Sequence, residues 1–151
     1  MLIVFAADHA GFELKNTLVA YVRDELGYQV EDAGTDMFDP EDDYPLYIRR
    51  ASEKVARDPE SMRGIILGGS GQGEAMQANR SFGVRAAVFY GGSLDIVRLS
   101  REHNDANILS LGARFLSVEE AKEAVKVWLA TEKKSDEKYE RRNAMMDKAF
   151  I

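Results

Sequence analysis

The side chains best suited to acid–base chemistry fall in two short segments of this chain. One is ADHAG (residues 7–11), in which a carboxylate and an imidazole are adjacent. The other is GGSGQGE (residues 68–74), which contains four glycines and ends in Glu74. A glycine-rich backbone that opens a helix exposes N–H groups, which can hold a phosphate or a developing oxyanion. A carboxylate at Glu74 would compete with a bound phosphate, so the segment favours a general base beside an oxyanion site over a phosphate site. The helix N-terminus is expected to keep Glu74 ionised.

The histidines give a second argument for a catalytic site. The chain has only two, His9 and His103. Taken alone, Asp8 could be a helix cap and His9 a surface residue, but both follow a predicted strand, where ligands bind in open parallel sheets. Both histidines lie in loops that we expect to share one crevice, so with Ser70 and Glu74 they favour a catalytic cluster over two structural histidines. Their spacing matches no metal-binding motif, and no metal is predicted.

Basic residues that could hold an anion occur in two places. Arg114 follows the last predicted strand, whereas Lys138, Arg141 and Arg142 lie in the final predicted helix. The helical residues could simply form a solvated face of the charged run 132–142. An anionic substrate needs cations, however, and Arg114 with one of them could clamp a phosphate.

Composition limits the remaining possibilities. With 151 residues, 45% hydrophobic and 30% charged, the chain fits one soluble domain over residues 1–151. It has no cysteine, which excludes disulfides, thiolate zinc sites, iron–sulfur clusters and a cysteine nucleophile. Its net charge of −6 includes seven acids and no base in residues 31–43, and this acidity argues against nucleic acid or an anionic membrane as partner. Without a targeting signal or an apolar span of ~18 residues, a cytoplasmic protein is expected.

Apolar runs alternate with helical patterns along the chain, and these elements must position the residues above. Short apolar runs predict strands at residues 2–7, 28–33, 64–69, 84–89 and 107–111. Helical spacing predicts helices at about 14–26, 45–56, 71–80 and 93–102, one that starts with a capping box at 117–120, and a last one at 136–150. The alternation predicts an α/β fold, a doubly wound (Rossmann-like) five-stranded parallel sheet with helices on both faces and a C-terminal helix. Ligands are then expected at the carboxyl ends of the strands.

Several stretches together resemble one enzyme family. They are ADHAG (7–11), DDYP (42–45), GGSGQGE (68–74), Asn79 with GVR (83–85), REHN (101–104), LGAR (111–114) and the terminal basic helix. On these motifs the chain resembles the type B ribose-5-phosphate isomerases, within the wider family that includes galactose-6-phosphate isomerase subunits. The resemblance implies an enzyme that interconverts an aldose phosphate and a ketose phosphate without metal or cofactor. It also implies a homodimer or tetramer with active sites at the dimer interface.

The resemblance further implies roles for individual residues. Glu74 would move a proton between C2 and C1 through a cis-enediolate, since a chain without cysteine must belong to the members whose base is glutamate. Ser70 and the backbone amides after it would stabilise the enediolate oxygen, and His103 with Asp8 would open the sugar ring. The implied substrate-binding residues are His9, Tyr44, Gly69, Gly71, Gln72, Gly73, Asn104, Arg114, Lys138 and Arg142.

Within that set the resemblance separates contacts to the sugar from contacts to the phosphate. Asn104 would hold a sugar hydroxyl and Tyr44 would cover the substrate. The residues implied around the phosphate are His9, Arg114, Lys138 and Arg142. Part of the set, including His103 and Arg114, would come from the partner subunit.

Three functions are compatible with these motifs. We expect interconversion of ribose 5-phosphate and ribulose 5-phosphate, because Asp8, Glu74 and His103 occur together in one chain. One alternative is a hexose 6-phosphate of the allose or galactose type as substrate, and another is a non-catalytic sugar-phosphate-binding module, since doubly wound folds host many functions. The chain departs from the family pattern at Lys138, where arginine is usual, and in the loop 90–92, which is longer than usual.

Overall fold

The computed structural model describes residues 1–148, so the predicted end of the last helix at Phe150 lies outside the described residues. The strands are β1 (Leu2–Ala7), β2 (Gln29–Asp32), β3 (Met62–Gly68), β4 (Ala86–Phe89) and β5 (Ile108–Gly112). The helices are α1 (Phe12–Ala20), α2 (Tyr44–Arg57), α3 (Gln72–Ala78), α4 (Leu94–Glu102), α5 (Val118–Ala130) and α6 (Glu137–Met146). A π-helical stretch, Tyr21–Glu25, continues α1.

The five strands form one parallel sheet in the order β2-β1-β3-β5-β4. This confirms the predicted doubly wound fold, in which helices supply the crossovers that parallel strands require. Because β5 inserts between β3 and β4, the ends of β3 and β5 are neighbours, and Gly68 pairs with Gly112. The residues that follow β1, β3 and β5 therefore meet at one edge of the sheet, here called the carboxyl edge.

Helices cover both faces of the sheet. Ile3, Phe5 and Ala7 of β1 join a core with α1, α4 and α5, whereas Val4 and Ala6 join a second core with α2 and α3. Burial on both faces explains why β1 is an unbroken apolar run in the sequence. Each large apolar side chain buried in this way contributes about 1.5–3 kcal/mol. None of the helices in residues 1–148 is long and apolar enough to cross a membrane.

Local signals account for most element boundaries. The helical segment after β1 ends before Gly27, whose φ of +76° suits the glycine that commonly follows a helix. The predicted capping box at the start of α5 is present. β4 begins later than predicted, because the N–H of Val84 donates to Ser81 O and that of Arg85 to Asn107 Oδ1 instead of to a neighbouring strand.

Because the strands are parallel, the loops that follow strands lie at one edge of the sheet and the loops that precede strands lie at the opposite edge. α4 runs antiparallel to β4 and β5, so its last residues and the loop to β5 lie where the strands begin, here called the amino edge. α6 lies at the same edge, because Asn143 Nδ2 donates to the carbonyl oxygen of His103 at 3.2 Å. This separation divides the residues that the motifs assign to one active site.

Candidate active site

The glycine loop, residues 68–71, brings the carboxylate of Glu74 onto the end of β3. Gly71 has φ +77°, and a β-carbon there would lie 3.0 Å from the carbonyl carbon of Leu111, so both conformation and space require glycine. α3 begins at the next residue and holds Glu74 in its first turn. There the carboxylate packs on the backbone so closely that a β-carbon on Gly68 would overlap it. As a result Glu74 is only 4% exposed.

Burial changes the acidity of Glu74. It raises the pKa of this carboxyl, mainly because removal from water disfavours the charged form, and the charge of Asp8 adds to the effect. A hydrogen bond from the residue's own backbone N–H acts in the opposite direction. The helix N-terminus therefore does not set the direction of the pKa shift of Glu74, because burial outweighs the effect of the short α3. A raised pKa makes the carboxylate a stronger base, which suits proton abstraction.

Asp8 closes the turn between β1 and α1. It is 7% exposed, and its Oδ1 accepts the N–H of Ala10 at 3.0 Å and that of Gly11 at 3.4 Å. Since the N-cap of α1 is Gly11, Asp8 is not simply the helix cap. Gly11 in turn packs against β3, where a β-carbon on it would lie 2.6 Å from Leu67 Cβ. The turn that carries Asp8 and the strand that leads to Glu74 are thus in direct contact.

His9 is paired with a carboxylate that the sequence motifs did not assign to the site. His9 Nδ1 lies 2.7 Å from Asp42 Oδ1, which also accepts the backbone N–H of His9 at 3.0 Å. The pKa of His9 is raised, chiefly by this hydrogen bond and further by the charge of Asp8, whereas partial burial and Arg114 act against it. The partners are 33 positions apart, so local spacing could not pair them. The available signal was the DDYP motif (42–45), in the loop that β2 directs to the carboxyl edge.

The same groups form a set that could hold a metal ion. One donor atom from each of Asp8, His9 and Asp42 lies within 4.8 Å of the others. Histidine spacing cannot reveal such a set, because its third member comes from a distant segment. His9 Nδ1 and Asp42 Oδ1 are hydrogen-bonded to each other, so a metal ion would have to displace that bond, and we do not assign these residues as metal ligands.

Three further predicted residues lie at the carboxyl edge. Tyr44 begins α2, and its hydroxyl is 2.7 Å from the place that a β-carbon on Gly73 would take. Ser70 is exposed, and its Oγ accepts the first N–H of α3 at 3.3 Å. Arg114 donates its N–H to Gly69 O at 3.0 Å, and its guanidinium lies beside the same glycine. Arg114 therefore lies beside the glycine loop of its own chain, because β5 neighbours β3.

His103 and Asn104 lie at the amino edge, away from Glu74. Arg85, which precedes β4, donates from Nε to Asn104 O at 2.9 Å. The ring of His103 stacks on Tyr139 of α6 with centroids 4.2 Å apart, and Lys138 Nζ is 4.6 Å from the centre of the same tyrosine ring. The expectation that the two histidines share one crevice of one chain is therefore wrong. The reason is that His103 precedes its strand, whereas His9 follows one.

The predicted residues thus divide into two groups. Those at the carboxyl edge are Asp8, His9, Tyr44, Gly69, Ser70, Gly71, Gln72, Gly73, Glu74 and Arg114. Those at the amino edge are His103, Asn104, Lys138 and Arg142. Asn104 also lines a cavity of about 600 Å³ at this edge. Glu74 and the glycine loop, the residues implied for proton transfer and for oxyanion binding, are together in one chain, and the residues implied for ring opening are separate from them.

Comparison with known proteins identifies the family. A family model described as Ribose/Galactose Isomerase matches residues 3–146. The chain belongs to this family. Its curated relatives include ribose-5-phosphate isomerase B of Mycolicibacterium paratuberculosis, 37% identical over 142 residues that cover 94% of this chain and 87% of that protein. The family relative from Escherichia coli with the same name is 38% identical over 130 residues, 86% of this chain and 84% of that protein.

Solved structures of family members agree with this assignment. Ribose-5-phosphate isomerase B of Mycoplasma genitalium, solved with bound ribulose-5-phosphate, has a TM-score of 0.90 and 31% identity, and the match covers 97% of this chain and 93% of that one. The isomerase from Thermotoga maritima has a TM-score of 0.88 and 37% identity over 98% of both chains. The family resemblance and the fold predicted from the sequence are confirmed.

Proposed function

We propose that this protein interconverts ribose 5-phosphate and ribulose 5-phosphate as a cofactor-independent aldose–ketose isomerase. The observation that carries the proposal is the buried carboxylate of Glu74 beside the glycine loop, in a chain whose relatives are named for this reaction. The family member with bound ribulose-5-phosphate supports a phosphorylated pentose as substrate. The proposal includes a cytoplasmic location, where phosphorylated sugars are retained because charged groups cross bilayers poorly.

Glu74 acts as the base on the open-chain aldose. Its carboxylate takes the proton from C2, the electron pair forms a C1–C2 double bond, and the aldehyde oxygen on C1 becomes the enediolate oxyanion. The carboxyl group then returns the proton to C1, the oxyanion gains the proton of the C2 hydroxyl, and C2 becomes the ketone. One carboxyl group serves both steps, and its raised pKa supports each.

The glycine loop stabilises the oxyanion. The first N–H groups of a helix have no partner within the helix. Ser70 Oγ accepts the N–H of Gln72, and the Glu74 carboxylate accepts its own backbone N–H. The N–H groups of Gly71 and Gly73 are therefore the donors proposed for the oxyanion. Ser70 adds a hydroxyl next to them. Donors of this kind, fixed before the reaction, typically contribute about 10²–10³-fold to the rate. The phosphate of the substrate binds at the same carboxyl edge, where His9 and Arg114 supply positive charge.

A second copy of the chain completes the site. In one chain His103 is separated from Glu74 by the length of β5, which for five residues is about 16 Å. We therefore propose a homodimer, alone or within a tetramer, in which the amino edge of one chain faces the carboxyl edge of the other. His103 and Asn104 of that second copy then open the ring and hold a hydroxyl, and Lys138 and Arg142 add charge at the phosphate.

Exchange of the C2 proton with solvent tests the base directly. We expect Glu74→Gln to lower turnover and deuterium incorporation into ribose 5-phosphate by more than about 10²-fold, since general-base catalysis typically contributes 10²–10⁴-fold. Binding of a phosphate ligand should survive, because the substitution keeps the shape of the side chain. Glu53→Gln, at an exposed position of α2, is the matched control. Near-normal exchange in Glu74→Gln would exclude Glu74 as the base.

The two alternatives from the sequence are separated by simple measurements. If kcat/KM is higher for allose or galactose 6-phosphate than for ribose 5-phosphate, the substrate is a hexose phosphate and the same residues perform the chemistry. If sugar phosphates bind but no C2 proton exchanges in any of them, the protein is a binding module. The buried Glu74 favours catalysis, because a binding module needs cations but no desolvated base.

A further inference from the structure

Asp42 holds His9 by two hydrogen bonds to a single oxygen. Its Oδ1 lies 2.7 Å from the ring nitrogen Nδ1 and accepts the backbone N–H of His9 at 3.0 Å. The Asp42 side chain is 3% exposed, whereas that of His9 is 27% exposed. The ring is therefore held at Nδ1 by a buried carboxylate, the side chain is partly exposed, and within residues 1–148 Nε2 makes no hydrogen bond.

The environment of Asp42 makes a charged imidazole the favoured partner. Within residues 1–148, its second oxygen Oδ2 is buried and has no hydrogen-bond partner. A buried carboxylate is stable only when it is paired, and among the described residues the hydrogen bonds to Oδ1 come from His9 alone. An unneutralised Asp42 would also repel a phosphate at this edge, so the pair must be close to neutral for an anionic substrate to bind.

Other charged groups around His9 act in both directions. Asp8 Oδ2 is 3.9 Å from His9 Nδ1 and favours the protonated ring, while Arg114 opposes it. The ring of Phe38, from the same acidic segment as Asp42, packs on that of His9 in a T-shaped arrangement with centroids 6.4 Å apart. An ordinary histidine has a pKa near 6.5 and is mostly neutral at pH 7.5, and the hydrogen bond with Asp42 is the largest of the influences that shift the pKa of His9 upward.

We propose that Asp42 is a positioning residue that keeps Nδ1 of His9 protonated and the ring cationic, so that Nε2–H is presented to the phosphate of the substrate. The inference rests on the proposed function, since it names how that site recognises phosphate. It assigns a role to the acidic segment, residues 31–43, that its charge alone would not suggest. One acid of this segment, Asp42, keeps the imidazole of His9 positively charged.

The experiment compares Asp42→Asn with Asp43→Asn, a neighbouring exposed acid with the same change in net charge. The chain has only two histidines, so NMR can follow the titration of His9, with His9→Asn to assign its signal. We expect the titration midpoint of His9 to fall in Asp42→Asn and to stay unchanged in Asp43→Asn. Amide spectra of both variants show whether the fold is kept.

Binding of inorganic phosphate gives the second measurement. At pH 7.5 we expect Asp42→Asn to bind about tenfold more weakly than Asp43→Asn, with the ratio approaching one as the pH is lowered and His9 becomes protonated in both variants. Taking the ratio cancels the titration of phosphate itself. A role of Asp42 in folding alone would give a ratio independent of pH, and that result would overturn the proposal. So would an unchanged His9 midpoint, or a lowered midpoint without weaker phosphate binding.

Neither measurement depends on turnover. If the wild-type protein isomerises no sugar phosphate, the proposed function fails while the His9 titration and phosphate binding still decide the role of Asp42. If turnover is normal in Asp42→Asn at every pH, the role of Asp42 fails and the isomerase assignment stands.

Discussion

The carboxylate of Glu74 rests on the α-carbon of Gly68, in the space that a side chain at residue 68 would occupy. The carboxylate proposed as the base can occupy this place only because residue 68, the last residue of β3, has no β-carbon. This contact explains why Glu74 is buried without an ion-pair partner among residues 1–148. It also means that a substitution at Gly68 can move the Glu74 carboxylate without changing Glu74 itself.

Gly68→Ala should remove Glu74 from its working position. The new methyl group would overlap the carboxylate, and because the end of the Glu74 side chain is flexible it will move before the backbone does. We expect kcat to fall by about 10²-fold or more, as for loss of a general base, with a cooperative unfolding transition retained. Gly69→Ala is the contrast, since its β-carbon would lie 3.2 Å from the Arg114 guanidinium and should raise KM instead. An unchanged kcat in Gly68→Ala would contradict this account of the site.

The raised pKa of Glu74 predicts that the residue lowers stability at neutral pH. Burial raises its pKa in the folded state above that in the unfolded chain, so ionisation is harder when the protein is folded. The cost is absent below the unfolded value of about 4.3, where both states are protonated, and is complete above the raised folded pKa. We expect Glu74→Gln to be more stable than wild type at pH 7 by on the order of 1 kcal/mol, or about 2–4 °C in Tm.

Thermal unfolding between pH 4 and pH 8 checks this prediction. The difference between Glu74→Gln and wild type should shrink towards zero as the pH falls to about 4. Glu53→Gln, on the exposed side of α2, should show no such trend. A variant that is less stable than wild type at pH 7 would show that ionised Glu74 is stabilised by contacts that outweigh its burial.

The fold could be predicted because its signals are local. The apolar run of β1, the glycine after the first helix and the capping box of α5 each specify an element over a few residues. Glu74 and Asp8 were predictable for the same reason, since both follow a strand and so must lie at the carboxyl edge. The order of the strands was not predictable, because placing β5 beside β3 depends on long-range packing, and that placement decides where Arg114 lies.

The errors about the site have the same physical origin. His103 was grouped with His9 because both lie in loops of the sheet, although a residue that precedes a strand and one that follows a strand lie at opposite edges of a parallel sheet. The direction of the Glu74 pKa shift depends on burial, which the helix N-terminus does not reveal. Asp42 was one of seven acids in an acidic run, and only the folded chain shows that it is the one in contact with His9.

Lys15 is predicted to stabilise the loop that carries Asp42. Its side chain is fully buried, forms an ion pair with Asp32 and donates to Thr35 O at 2.6 Å. We expect Lys15→Met to lower the free energy of unfolding by roughly 2–4 kcal/mol, because removal of one partner of a buried pair leaves the other uncompensated. Urea unfolding measures the change, and Arg98→Met, which removes an exposed pair with Asp95, should cost less than about 1 kcal/mol. Equal effects of the two substitutions would contradict the special role of Lys15.

The separation of Glu74 and His103 at opposite edges predicts that two inactive variants can restore each other. If each site takes Glu74 from one chain and His103 from its partner, Glu74→Gln and His103→Gln are each inactive alone. In mixed oligomers formed by coexpression, about a quarter of the sites should combine two intact residues by chance, and turnover should return to about that fraction of wild type. Glu74→Gln mixed with Gly68→Ala is the matched control, because both changes affect the same edge and no intact site can form. Mixed oligomers that stay as inactive as this control would show that His103 does not act in a partner's site.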